Sequence, residues 1–138
     1  MRHLVAAAGL QDAIRIESAG TGDWHVGHPR DRRSSQTAQT RGIPLSGRAQ
    51  QFTAADFGRF DYVIAMDRSN RDDLRAMAPD AEARAKVALL REHEPGAAPE
   101  ADVPDPYYGG AGGFEQVFDI CTAACAGLLA RVRREHRL

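Results

Sequence analysis

The sequence predicts a three-layer α/β fold in which a small parallel sheet is flanked by helices, and three observations carry that prediction. Asp61 to Met66 is a short run in which Tyr62, Val63, Ile64 and Met66 are too continuously apolar to leave one face wet, as expected of a parallel strand covered on both sides. The run stops at Asp67, with Ser69 and Asn70 behind it and a helical pattern through Leu74 and Met77, so a strand end feeds a helix start. Phe114, Val117, Phe118, Cys121, Leu128 and Leu129 then recur at helical spacing and form a long last helix that packs on the sheet.

Composition fits one such domain. The 138 residues, 43% hydrophobic and 27% charged, are enough for a single core. A net charge of −1 argues against nucleic-acid or membrane-surface partners, because neither phosphate backbones nor anionic lipids are attracted globally. Two cysteines are too few for a disulfide framework, no apolar run approaches the length of a membrane span, and no signal-peptide pattern opens the chain. A reducing cytoplasm is the expected location. No internal repeat or low-complexity block is present, and Glu94 to Asp102, rich in Pro and Gly, is short enough to be a loop within one domain.

The remaining elements follow in order. Met1 to Leu10 reads as the last turns of a helix, ended by Gly9 as a left-handed residue, with no capping residue before its first apolar position. Ala13 to Glu17 alternates Ile14 and Ile16 with polar neighbours and is expected to be a strand. Ser18 to Pro29 is a Gly-rich loop holding Trp24, the chain's single tryptophan, which on its residues alone anchors the loop to the core. His25 and His28 in that loop lack the spaced partners of a metal site. Asp31 to Arg41 is a polar surface helix with an N-cap candidate at its start and Gly42 at its end, and Thr53-Ala54-Ala55-Asp56 begins a shorter one. Lys86 to Leu90 is the next strand. The cationic end of the last helix, Arg131 to Arg137, reads as a solvated terminus favoured by the helix dipole.

The stretch Val103-Pro104-Asp105-Pro106-Tyr107-Tyr108-Gly109-Gly110 carries the clearest functional signal. Each proline biases the residue before it towards extended geometry, so Val103 and Asp105 are held out of the helical region and a single carboxylate is aimed. Two readings stand side by side: a loop lining a pocket for an aromatic or phosphorylated ligand, or a surface turn in which Asp105 caps the chain and the tyrosines pack on the body. Asp67 likewise has a local role open to it, as N-cap of the helix that follows.

Asp-Pro-Tyr-Tyr, together with Glu17-Ser18-Ala19-Gly20-Thr21-Gly22-Asp23-Trp24, with Asp61-Tyr62-Val63-Ile64-Ala65-Met66-Asp67-Arg68-Ser69-Asn70 and with the helix after Phe114, resembles the low-molecular-weight protein tyrosine phosphatases in order and spacing. The resemblance implies that family's fold and hydrolysis of phosphotyrosine through a phosphocysteine intermediate. It implies Asp105 as general acid, Trp24, Tyr107 and Tyr108 as walls of the substrate cleft, and Asp67 as a support for the phosphate-binding loop. The implied partner is a tyrosine-phosphorylated protein or a small aryl phosphate, with no metal or organic cofactor.

The family's Cys-(five residues)-Arg loop is not found where the resemblance calls for it. The chain is expected to start just downstream of its own active centre, as one domain over 1–138 incomplete at the amino end and lacking its first strand, with either a gap in the sheet or compensating pairing. As given it is expected to be inactive, and less stable than a complete member. Cys125-Ala126-Gly127-Leu128-Leu129-Ala130-Arg131 satisfies the pattern formally. It is rejected because a phosphate loop needs free N–H groups between a strand and a helix, and Cys125 sits inside a helical run. Cys121 and Cys125 are four apart on one helical face and fill the core. They are also wrongly placed for thioredoxin-coupled arsenate reduction on the same fold. The alternative to an enzyme is a catalytically dead module that uses the same cleft to bind a partner.

Overall fold

A computed structural model describes residues 1–21, 32–43, 50–105 and 111–138. The expected N-cap Asp31 lies outside them. Helix α1 (Arg2–Ala7) ends where Gly9 takes φ +71°; there the N–H groups of Gly9 and Leu10 return to the carbonyls of Ala6 and Val5 at 3.0 and 2.9 Å. Helix α2 (Arg32–Thr40) ends the same way at Gly42, φ +79°, with Ile43 N donating to Ala38 O at 2.8 Å. Both are closures that satisfy orphan carbonyls with a left-handed residue, which is why glycine marks both ends. A 3₁₀ turn (Ala54–Gly58) follows, held by a reciprocal capping box between Thr53 and Asp56.

Strand β1 (Val63–Ala65) then leads into helix α3 (Arg68–Met77), which stops before Pro79. The short helix α4 (Ala81–Ala85) is not foreseen by the sequence reading; its local signal is Asp80, which caps it by accepting from Ala83 N at 2.8 Å. Strand β2 (Val87–Leu89) pairs with β1 in parallel, Val63 opposite Val87 and Ala65 opposite Leu89. A 3₁₀ turn (Leu90–His93) and the loop to Asp105 lead on to helix α5 (Ala111–His136).

The period of two explains the layers. Val63, Ala65, Val87 and Leu89 face one way into a core with Phe57, Leu74 and Ala83, while Ile64 and Tyr62 face the other way onto Leu90, Ala124, Leu128 and Val132. The sheet is therefore covered on both faces, by α3 and α4 on one side and by α5 on the other, as its apolar run requires. Cys121 and Cys125 are half-buried and packed against the second cluster, as expected.

Helix α5 is held near its start and in its second half. Near its start Glu115 and Asp119 pair with Arg41, whose guanidinium also lies 4.7 Å from the Phe118 ring. Farther on it presses on the 3₁₀ turn at Gly127, where an added Cβ would come 2.9 Å from the carbonyl carbon of His93 and closer still to its oxygen. By length and composition α5 meets the requirements of a membrane span, which corrects the expectation that no run would approach one. One face of it is buried against the sheet, through Ala124, Leu128 and Val132, and most of the rest is not buried.

Two further expectations are corrected. Among the described residues Ala13 to Glu17 finds no ladder partner: residues 11–13 are a turn, and the Ile16 carbonyl takes the Arg2 guanidinium at 2.8 Å. A strand exists only through a partner, and alternation alone supplies none. Among the described residues the sheet has two strands, and no compensating pairing joins residues 14–17 to β1; the bridge Gly20 to Gln51 lies farther on. The cationic terminus is also not wholly solvated. Arg131 bonds Glu135 at 2.8 Å and His93 at 3.1 Å, and lies 5.7 Å from the Tyr62 ring.

Candidate active site

The carboxyl end of β1 turns into α3 at Asp67 and receives the loop that leads to Asp105. Asp67 leaves the strand in extended geometry, φ −145°, and its Oδ1 accepts from Asn70 N at 2.7 Å, so the N-capping role is realised. The carboxylate is half-buried, and it meets the first turn of α3, where the helix dipole favours negative charge.

The loop carrying Asp105 returns to the same place. Val103 N donates to the Met66 carbonyl at 2.8 Å, which continues the line of β1 by one backbone bond. One residue earlier, Asp102 receives the Arg68 backbone N–H at 2.8 Å and the Arg68 guanidinium on both oxygens, Nε to Oδ1 and Nη2 to Oδ2 each at 3.2 Å. These hydrogen bonds hold the Asp102 carboxyl below its ordinary range and raise the Arg68 guanidinium above its own. On the other side of the loop Arg91 donates to the Asp102 carbonyl at 2.9 Å and is itself held by Glu94 at 2.6 Å. Glu100, in the left-handed region at φ +55°, accepts from Arg71 at 2.9 Å. A non-glycine residue there is sparsely populated and persists only where neighbours impose it.

Asp105 itself is exposed, three residues beyond this anchorage and directly after Pro104. Trp24, Tyr107 and Tyr108 lie outside the described residues, as do His25 and His28. The sequence reading missed Arg68, Arg71, Arg91, Glu100 and Asp102. Acidic residues two apart just before Asp-Pro-Tyr-Tyr were the only signal, and their arginine partners lie 29 and 34 positions away.

The formal Cys125-to-Arg131 pattern is no phosphate loop. It lies within α5, its backbone N–H groups are spent on the helix, and Arg131 is taken up by Glu135 and His93. Burial, with Cys125 beside it, pushes the Cys121 thiol up to about 11, so it is not a thiolate at neutral pH. Among the described residues no group of three or more His, Cys, Asp or Glu side chains could hold a metal ion.

Comparison with known proteins converges on one family. The family model described as low molecular weight phosphotyrosine protein phosphatase matches residues 1–138. A low molecular weight protein-tyrosine-phosphatase of Streptomyces coelicolor is 43% identical over 135 residues, covering 97% of this chain and 82% of its own. The human low molecular weight phosphotyrosine protein phosphatase is 34% identical over 131 residues, covering 94% and 82%. Among solved structures, a protein tyrosine phosphatase from Entamoeba histolytica superposes with a TM-score of 0.90 at 30% identity, covering 99% of this chain and 86% of that one. YfkJ from Bacillus subtilis gives 0.87 at 37%, covering 97% and 82%.

Proposed function

The chain belongs to the low molecular weight phosphotyrosine protein phosphatase family, and from that premise we propose that it serves phosphotyrosine hydrolysis through a phosphocysteine intermediate, with Asp105 as general acid and then general base. In the first step a cysteine thiolate forms the S–P bond as the P–O bond to the tyrosyl oxygen breaks, and Asp105 gives that oxygen its proton. In the second, water attacks phosphorus, its proton passes to the Asp105 carboxylate, and the S–P bond breaks to free phosphate and the thiolate. Neither metal nor organic cofactor enters the cycle. Trp24, Tyr107 and Tyr108 would flank the phenyl ring, and Asp67 would support the phosphate-binding loop while capping α3.

One observation supports the acid role above the others. Asp105 is exposed, on a loop tied by Val103 to the carboxyl end of β1, where open α/β sheets take their ligands. The substrate is a tyrosine-phosphorylated protein or a small aryl phosphate, handled in the cytoplasm by a single domain.

The nucleophile is a separate matter. The 138 residues hold cysteines only at 121 and 125, both within α5. By this reading they provide the acid side of the site and, alone, do not turn over phosphotyrosine. That same observation favours a second reading, a phosphatase-like module that binds through the cleft without catalysis. Hydrolysis of an aryl phosphate by the protein isolated from its source, reduced by Asp105→Ala, fits the enzyme. Binding of a phosphotyrosine peptide with no hydrolysis in either form fits the module.

A further inference from the structure

We propose that Arg68 and Asp102 form a clasp that positions Asp105, locking the acid-bearing loop to the first residue of α3; this rests on the reading of Asp105 as the proton donor. The geometry is that of a fixed hinge point. Asp102 uses both carboxylate oxygens on Arg68 and one of them also on the Arg68 backbone N–H, so the side chain is held by a rigid helix start as well as by a charge. Its own carbonyl is taken from the opposite side by Arg91, and the next residue bonds Met66. From that point only Val103 and Pro104 separate Asp102 from Asp105, and Pro104 restricts the residue before it. Little rotational freedom is left in between, so where Asp102 is fixed, the placement of Asp105 is fixed too.

Exposure separates positioning from stability. The Arg68 and Asp102 side chains are 57% and 36% exposed, and ion pairs of that kind add little to folding. A clasp worth little to the fold but much to one carboxylate gives a distinctive pattern when cut. The neighbouring Arg71–Glu100 pair holds the left-handed residue Glu100 and guides the loop into the clasp. Arg68 is not interchangeable with lysine here, because only a planar fork serves both oxygens at once.

The test is backbone ¹⁵N relaxation of the 138-residue chain and of Asp102→Ala, Asp102→Asn and Arg68→Lys. The expected result is new fast motion at Val103 and Asp105 in Asp102→Ala, with α5 and the sheet unchanged. Asp102→Asn, which keeps an acceptor for the Arg68 N–H, and Arg68→Lys should fall between it and the unaltered chain. Unchanged relaxation at Asp105 in Asp102→Ala overturns the proposal; so does loosening spread evenly over the whole fold. If Asp102→Ala does not fold, Asp102→Asn and the unaltered chain at high salt, where the pair is screened, give the same comparison.

In the protein isolated from its source, the clasp variants should lose roughly ten- to hundredfold in kcat with KM little changed, the scale of a misplaced reacting group. If Asp105→Ala leaves hydrolysis intact, the acid reading fails, while the relaxation data still decide the clasp.

Discussion

Gly127→Ala tests the seating of α5 against the Leu90–His93 turn, which carries Arg91. On helix propensity alone the change stabilises, since alanine gains about 1 kcal/mol over glycine within a helix. The packing says the opposite. The new Cβ would lie 2.9 Å from the His93 carbonyl carbon and nearer to its oxygen, both backbone atoms that cannot rotate away, so α5 or the Leu90–His93 turn must shift. Overpacking of this kind costs roughly 1–3 kcal/mol. A clash this close with backbone atoms puts the cost in the upper half of that range, about 2–3 kcal/mol, so the balance is a net loss of about 1–2 kcal/mol, a fall of roughly 3–10 °C in Tm for a domain of this size. The same turn carries Arg91, so a displaced turn also pulls on the Asp102 carbonyl. Thermal and urea unfolding followed by circular dichroism read the effect. Gly112→Ala is the control, being in the first turn of α5 with open space around its added Cβ. A Tm for Gly127→Ala that is unchanged, or raised as in the control, refutes the argument.

Three further outcomes are expected. Tyr62, desolvated and donating to Glu135, is pushed up to about 12; because the folded value lies above the unfolded one near 10, its contribution is whole below pH 10 and is lost as pH rises towards 12. The unfolding free energy from urea titrations should therefore drop by up to about 2 kcal/mol in that window, and its pH dependence should flatten in Tyr62→Phe. Asp67→Ala should cost about 1 kcal/mol as a lost cap, while Asp67→Asn keeps the cap; activity lost in the asparagine variant at unchanged stability assigns the charge to the phosphate loop rather than to α3. Cys125→Ser should leave any phosphatase activity untouched, and Cys121 should resist alkylation at pH 7 and react only as pH approaches 11; a variant that folds but has lost all activity would put the nucleophile in α5.

What the sequence made legible was local. Gly9 and Gly42 end their helices, Asp67 caps α3 and the last helix keeps its apolar spacing, because each signal acts over a few residues. Continuous apolarity at β1 likewise announced a sheet covered on both faces. Ile14 and Ile16 misled because alternation records a preference and not a partner. Helix α4 was missed because five residues are too few for a period to show, although Asp80 was there to be read. In the site the pattern is the same. Asp105 and Asp67 stood out through their immediate neighbours, whereas Arg68 and Asp102 are joined only by the fold, across 34 residues.

Whether Asp105 protonates the leaving group is decided by the dependence of aryl phosphate hydrolysis on leaving-group basicity, measured for the native protein and its Asp105→Ala variant. A proton delivered by Asp105 cancels charge on the departing oxygen, so the unaltered protein should be nearly indifferent to the leaving group. The variant should lose about 10²–10⁴-fold with a basic phenol such as tyrosine and far less with an acidic one. Equal losses across the series, or none, would contradict Asp105 as the general acid.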